Sequence, residues 1–474
     1  MHCRTLIFGI GFLAFALSLG TFASWAQDEP QPPALDYPPK PAGYSFPVLG
    51  KGQPSEELQP DTAPLTGVQN PTLGSPEMQH SYWVPGFQFS SNVFSNSYSG
   101  SGGSNWTANN YFIGNLSLLQ AWSRDTLTLN YSGGGFLSTD SQQGNGWYQQ
   151  LGFAQSYRTR RWLLQVFDQF SYLPQSAFGF GGGTNLGVPG VGGSLGTALP
   201  GLGAGFMSNQ SIYGVGAFYS NTSALQTTYT ISPRGSLTLA GSYGIMSFLE
   251  SGNYGTRSVS GSIGYNYTLS PNDTFGLVYI FSSNQFPSNP QAYGSNVVSV
   301  AYGRKVTGRL ALKIFMGPQF SSYRIPIAGI PQTTGLYANA NVSYAFHRGS
   351  LSVGYNHGLS GGGGVLVGSI WDQANASFSH TLTRLWTGSV NFGYSRNSPV
   401  GGTTATASPV YNSWFMSSSV NRPITRNFNF GMAYTANIGN YRGPACAGSS
   451  CNASNLYNTA TVNLQWHPRP LVLP

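Results

Sequence analysis

Residues able to do chemistry are few and scattered in this chain. Beyond His2, the histidines are His80, His347, His357, His380 and His467, and charged residues make up only 7% of the 474 positions. His357 has a hydroxyl nearby, in Tyr355-Asn356-His357-Gly358-Leu359-Ser360. Hydrolysis by a hydroxyl needs a base held against the nucleophile and a third group orienting that base, and no recognised motif supplies that arrangement here. No two histidines stand at ligand spacing, and no His, Asp or Glu lies near Cys446 and Cys451, so a metal centre is not expected. No Gly-rich run follows a strand and opens a helix, as a phosphate loop must. The reading is a non-enzyme with no cofactor and no metal.

The basic residues carry more information through their placement. Arg124, Arg158, Arg160, Arg161, Arg234, Arg304, Lys305, Arg309, Arg348, Arg384, Arg422 and Arg426 all stand at or beside short segments rich in Arg, Ser, Pro and Gly. These segments are Ser123–Asp125, Arg158–Arg161, Ser232–Gly235, Ser270–Asp273, Lys305–Gly308, His347–Ser350, Thr381–Arg384 and Arg422–Arg426, recurring about every 35 to 40 residues. Arg257, Lys313, Arg324, Arg396 and Arg442 are the few cations elsewhere in this region. Basic residues confined to turns, and not interleaved with aromatics, argue against nucleic acid. They are read either as solvated turns or as a basic ring at one mouth of the fold, which would raise the local anion concentration.

Between the turns the chain alternates. Val259, Gly261, Ile263, Tyr265, Tyr267 and Leu269 oppose Ser258, Ser260, Ser262, Gly264, Asn266 and Thr268. In the last run Leu456, Ala460, Val462, Leu464 and Trp466, interrupted by Asn458, oppose Tyr457, Thr459, Thr461, Asn463 and Gln465. Period two puts each set on one side of a sheet. The polar set is Ser, Thr, Asn, Gln and Gly rather than ions. Two strands of about 10 to 13 residues per period suit tilted membrane crossings. A β-propeller blade would pack four shorter strands into the same length. Eight turns imply sixteen strands, and one more at each end (about Val84–Phe94 and Leu456–His467) gives about eighteen, with sixteen the alternative. The expected fold is all-β, an antiparallel up-and-down transmembrane β-barrel. At that strand number the lumen is an aqueous channel. Its wall candidates are Ser258, Ser260, Asn266, Lys313, Asn339, Asn341, Asn391, Asn429, Asn463 and Gln465, and His357 is expected to line the barrel near its outer rim. Asp168 shares its phase with Trp162, Leu164, Val166, Phe170 and Tyr172, which should face lipid. A bulge or shifted register near it is expected, because a bare carboxylate there is costly.

The flanks differ from this pattern. His2 and Arg4, the apolar Leu6–Leu19 and the small Ser24 and Ala26 before Gln27 read as a cleaved secretory signal peptide over residues 1–26. A single N-terminal membrane helix is the rival, but the apolar run is short for a span. Residues 27–82 are acidic, rich in proline and aperiodic, and read as a disordered periplasmic segment that a basic mouth or a periplasmic partner would attract. The barrel is assigned to 83–467 and a tail to 468–474. Export permits a disulfide between Cys446 and Cys451, pinching one loop. The spacing doubles once, over Pro174–Gln210, whose glycines and prolines argue for one long loop, the third on its side.

Together the signal peptide, alternating strands, short turns and aromatic final strand resemble Gram-negative outer-membrane β-barrels of the porin class. The resemblance spans 83–467 and lies in architecture rather than in a unique motif. It implies a bacterial outer-membrane location, assembly by the barrel-assembly machinery, and passage of small hydrophilic solutes. It also implies that Pro174–Gln210 folds inward, with Phe178, Phe180, Asn185 and Pro189 as constriction candidates; the other reading is a mobile external loop. That loop holds no Asp, Glu, Lys or Arg, so the charged eyelet of the class does not carry over. Porin-type chains end on an aromatic residue. Here His467–Pro474 follow Trp466, and the prolines are expected to prevent pairing beyond it. The neutral wall points to passive diffusion of mainly neutral solutes. Export of a polysaccharide or other polymer, and a non-transporting surface barrel, are the alternatives.

Overall fold

The computed structural model describes residues 81–96, 105–139, 145–173, 217–249, 253–327, 330–360, 368–399, 410–442, 454–469 and 471–472. In chain order the strands are β1 (Tyr82–Asn96), β2 (Asn105–Ala121), β3 (Asp125–Ser138), β4 (Gly146–Arg158), β5 (Trp162–Leu173), β6 (Phe218–Ser232), β7 (Gly235–Phe248), β8 (Thr256–Ser270) and β9 (Asp273–Gln285). They continue as β10 (Ala292–Thr307), β11 (Leu310–Ile327), β12 (Ile330–Phe346), β13 (Gly349–Ser360), β14 (Ser369–Thr381), β15 (Thr387–Pro399), β16 (Val410–Pro423), β17 (Phe428–Arg442), β18 (Ser454–Trp466) and the two-residue β19 (Leu471–Val472). Each of the first eighteen pairs antiparallel with its sequence neighbours. β1 also pairs with β18, from Phe87 opposite Trp466 to Asn96 opposite Tyr457, which closes the sheet into an eighteen-stranded barrel.

The eight tight turns fall where the sequence places them, and their chemistry is local. Ser and Thr hydroxyls accept the turn amides: Ser270 Oγ from Asn272 N (3.2 Å) and Asp273 N (3.1 Å), Thr307 Oγ1 from Arg309 N and Leu310 N, Thr425 Oγ1 from Asn427 N and Phe428 N. Thr383 Oγ1 does the same for Leu385 N and Trp386 N. A hydroxyl replaces a backbone acceptor and tightens the chain reversal. The chain termini of the barrel, Tyr82 and Trp466, lie at this short-turn end. At the other end the connections are longer, except between β9 and β10, where Phe286–Gln291 suffice, and between β11 and β12, whose strands meet at Ile327 and Ile330.

Register fixes two faces. One set of alternating positions leaves large apolar side chains exposed, among them Phe87, Phe112, Leu164, Leu225, Ile263, Leu277, Val300, Met316, Val353, Phe392, Met432 and Leu464. The other carries Ser, Thr, Asn and Gln, many of them buried. In a closed barrel the first set is the outer wall and the second the inner wall, so folding here turns the usual globular arrangement inside out. Aromatic residues bound the outer band. On β5, Trp162 packs at a tilt against Tyr229 at the short-turn end (centroids 4.6 Å), and Tyr172 lies ten residues further up the strand. At ~3.3 Å rise and ~40° tilt that interval spans ~25 Å of axis, the height of an outer-membrane apolar band.

Above the band, polar residues on the outer wall are capped by tyrosines. Tyr279 donates to Asn296 Oδ1 (2.6 Å), Tyr355 to Asp372 Oδ1 (3.1 Å), Tyr394 to Asn412 Oδ1 (3.1 Å) and Tyr434 to Asn458 Oδ1 (2.9 Å). In each case the acceptor stands on the next strand, two residues nearer the long-loop end than the tyrosine's register partner. Asn458, an interruption in the sequence pattern, thus belongs to a repeated device at the upper edge of the band.

Three expectations need correction. Asp168 sits in unbroken register, opposite Phe153 and Ser223, with no bulge. Its carboxylate stays on the outer wall and accepts hydrogen bonds from Ser223 Oγ (2.5 Å) and Asn221 Nδ2 (3.2 Å) of β6. Local donors, rather than a change of register, reduce the cost of its position. His357 also faces outward, opposite Ala338 and Asp372, because β13 keeps strict alternation from Val353; its Nδ1 lies 2.6 Å from Asp372 Oδ1. Finally, pairing does not stop at Trp466. His467–Arg469 leave the ladder, and Leu471–Val472 rejoin it opposite Trp83 and Tyr82, since β1 begins below its last contact with β18.

Candidate functional site: the inner wall

Every wall candidate read from the sequence occupies an inward position: Ser258, Ser260 and Asn266 on β8, Lys313 on β11, Asn339 and Asn341 on β12, Asn391 on β15, Asn429 on β17, Asn463 and Gln465 on β18. The structure brings them into a cross-strand hydrogen-bonded lining. Ser242 and Ser260 hydroxyls lie 2.6 Å apart, Asn266 Nδ2 donates to Thr238 Oγ1, and Gln226 Nε2 donates to Gln165 Oε1 (3.1 Å). From β12 to β17 the belt is continuous. Asn339 bonds Asn356, Asn341 bonds Ser352, and Ser350 pairs with Ser379 (2.9 Å). Ser377 donates to Asn391 Oδ1 (2.7 Å), Ser389 pairs with Ser419 (2.7 Å), and Thr435 donates to Ser417 (3.1 Å). Neutral donors and acceptors facing one another across strands hold the wall in register.

Two asymmetries define what the wall can do. The first is charge. The described carboxylates Asp125, Asp168, Asp273 and Asp372 all stand in the outward phase, while Lys305 and Lys313 stand in the inward phase. Lys313 lies opposite Gly303 and Asn341, well inside β11. The second is accessibility. Toward the long-loop end, inward Ser369, Ser395, Asn397 and Tyr148 are wholly or almost wholly buried, as is Ile113 at the middle of β2. Toward the short-turn end, Ser377 and Asn421 are exposed and Asn391, Ser419 and Asn429 half-buried. Gly431 keeps the wall smooth there: a β-carbon would stand 2.5 Å from Asn463 Oδ1 and 2.6 Å from Asn421 Oδ1.

The sequence pattern missed an apolar inward patch on β2–β4. Tyr111, Ile113, Phe136 and Tyr148 form a buried cluster, with Tyr111 stacked on Phe136 at 5.2 Å. The available signal was the run Gly133-Gly134-Gly135: Gly134 lies opposite both Ile113 and Tyr148, and a β-carbon there would strike the Phe112 backbone carbonyl, while one at Gly146 would stand 2.5 Å from Phe136 Cε1. Trp371 is a second unanticipated inward aromatic, donating its indole N–H to Ser395 Oγ (3.2 Å).

Arg124, Arg158, Arg160, Arg161, Arg234, Arg304, Arg348, Arg384, Arg422 and Arg426 are all exposed at the short-turn end. Of the described carboxylates only Asp125 and Asp273 share that end, and Arg304 Nε stands 3.7 Å from Asp273 Oδ1. Arg422 lies over the Trp386 ring at 5.4 Å. Among the described residues no cluster of His, Cys, Asp and Glu could hold a metal. Phe178, Phe180, Asn185 and Pro189, like Cys446, Cys451 and segment 27–80, lie outside the described residues.

The closed eighteen-stranded sheet, apolar outer band and polar inner wall define a porin-like transmembrane β-barrel. No family model matches this chain, and no curated protein matches its sequence. Solved structures similar to it include the outer membrane protein opdK from Pseudomonas aeruginosa, at 12% identity and TM-score 0.42, covering 81% of this chain and 99% of that one. Pseudomonas aeruginosa OpdL matches at 11% and 0.42, over 82% and 99% of the two chains. OccK2 (OpdF) of the same organism, also solved with glucuronate, matches at 9% and 0.43, over 81% and 98%. At such values the functional reading rests on this chain's own residues.

Proposed function

We propose that this protein is a bacterial outer-membrane channel for passive diffusion of small hydrophilic, mainly neutral solutes, exported through a cleaved signal peptide. The observation that carries the reading is the inner wall: a lining of Ser, Thr, Asn and Gln with no carboxylate among the described residues, in a barrel of eighteen strands, a number at which side chains do not fill the lumen.

Diffusion then needs no binding residue in the strict sense. Wall amides and hydroxyls exchange hydrogen bonds with a sugar or polyol as water does, so a neutral solute moves along them without a deep well. Lys305, Lys313 and the basic short-turn end, taken as the periplasmic mouth, favour anions over cations by raising their local concentration. Pro174–Gln210 is the candidate constriction, and 27–82 the candidate contact for a periplasmic partner. Liposome swelling tests the reading: folded protein should admit neutral sugars and polyols at rates that fall with solute size. Swelling no faster than in protein-free liposomes would remove transport and favour a surface barrel.

A further inference from the structure

The outer wall of β8–β12 carries a feature that solute passage does not use. A pocket of about 590 Å³ opens at the long-loop end, lined by Arg257, Gln285, the β9–β10 connection Phe286–Gln291, Ala292 and Arg324. Its four strand residues are all in the outward phase. Arg257 and Ala292 flank Gln285 across β8–β10, and Arg324 follows Tyr323, the partner of Tyr293. The connection is held in place by Gln291, whose Nε2 donates to Ile325 O (2.9 Å) and whose Oε1 accepts from Ile325 N (3.0 Å). The pocket wall is therefore tied to the strand that bears Arg324. Neither Arg257 nor Arg324 has a carboxylate partner among the described residues, and both are exposed.

Height and neighbourhood identify the ligand. Arg257 stands ten residues above Tyr267 on β8, ~25 Å along the axis at ~3.3 Å rise and ~40° tilt, where the apolar band gives way to headgroups. Below it on the same arc lies a second, apolar concavity of about 670 Å³, lined by Val300, Tyr302, Ile314, Met316, Gly317, Pro318, Gly335 and Leu336. Ile314, Met316, Pro318 and Arg324 share the outer face of β11. A groove for a chain beneath a pair of guanidiniums matches an amphiphile with an anionic head. Guanidiniums recognise phosphate through paired N–H donors.

We propose that this arc is a binding site for a phosphate-bearing membrane lipid, its phosphate held between Arg257 and Arg324 and an acyl chain lying over Met316 and Leu336. The inference requires that the outer wall meet lipid, but not that the lumen conduct.

The test uses the full mature chain folded in neutral detergent and immobilised. It is incubated with phosphatidic acid, with phosphatidylcholine or with inorganic phosphate, and retained ligand is measured by mass spectrometry or phosphate assay. Phosphatidic acid should be retained in preference to phosphatidylcholine. Arg257→Gln and Arg324→Gln should each reduce its retention ~10-fold or more, the loss of a charge-assisted contact. Arg160→Gln, at the opposite end, should leave retention unchanged, and the folded far-UV spectrum verifies each variant. Leu336→Asn should weaken phosphatidic acid while leaving inorganic phosphate unaltered. Equal retention of the two lipids, or Arg variants that bind like the parent, would overturn the site. Inorganic phosphate binding as tightly as phosphatidic acid would overturn the lipid assignment.

Discussion

Asn391 and Phe392 are adjacent on β15, yet they face different solvents. Asn391 faces the lumen and accepts a hydrogen bond from Ser377 (2.7 Å). Phe392 faces outward, 43% exposed, with its ring 5.7 Å from that of Trp414. It lies five residues above the short-turn end of β15, which is ~13 Å along the axis and close to the middle of a ~25 Å band. Arginine there should cost ~2–4 kcal/mol for a charge at the bilayer midplane, plus ~0.5–1.5 kcal/mol for the lost ring contact. Arginine at Asn391 removes one hydrogen bond, ~1 kcal/mol, and leaves Ser377 free to hydrate. The difference is ~1.5–4.5 kcal/mol, or at least ~10-fold in the folding equilibrium. Urea-dependent folding into phosphatidylcholine vesicles, followed by tryptophan fluorescence, measures both variants in one host. Asn391→Arg should shift the midpoint slightly and Phe392→Arg substantially. Equal costs, or the reverse order, would refute the assignment of inner and outer faces.

Other substitutions probe single features. Asp168→Asn keeps an acceptor for Ser223 and removes a charge from the apolar band, so stability should be unchanged or rise by ~1 kcal/mol; a loss above ~2 kcal/mol in the same assay would mean that the ionised group is needed. Gly368 has φ of 76°, and a β-carbon there would stand 3.0 Å from Tyr293 Cε1; Gly368→Ala should lower stability by ~1–2 kcal/mol, and an Ala variant as stable as the parent would show that the positive φ is not required. Lys313→Glu should move the reversal potential in a salt gradient toward cation preference, whereas an unmoved potential would remove Lys313 from the permeation path.

Much of the architecture was legible because its signals are local. A Ser or Thr hydroxyl that accepts two turn amides lies within three residues of them, as at Ser270 and Thr425, so the turns announce themselves. Period two then assigns a face to every strand residue, and this placed Lys313, Asn391 and Gln465 inward. What the pattern does not carry is the partner across the strand. Asp168 had the right phase, but Ser223 and Asn221, which accommodate it, are over fifty positions away. Tyr434 caps Asn458 from 24 positions away, so that residue read as an interruption. His357 is expected to line the barrel near its outer rim, although strict alternation from Val353 already points it outward. The pocket between Arg257 and Arg324 depends on three strand pairings at once and has no linear signature.

The central claim is that the inner wall bounds a continuous aqueous path, and planar-bilayer recording tests it most directly. Folded protein added to one side should produce discrete, ohmic conductance steps, with a reversal potential in a salt gradient displaced modestly toward anions. Protein that inserts and resists urea like a folded barrel, yet yields no steps, would contradict the channel. Steps with a strong cation preference would contradict a strand wall that carries Lys313 and, among the described residues, no inward carboxylate.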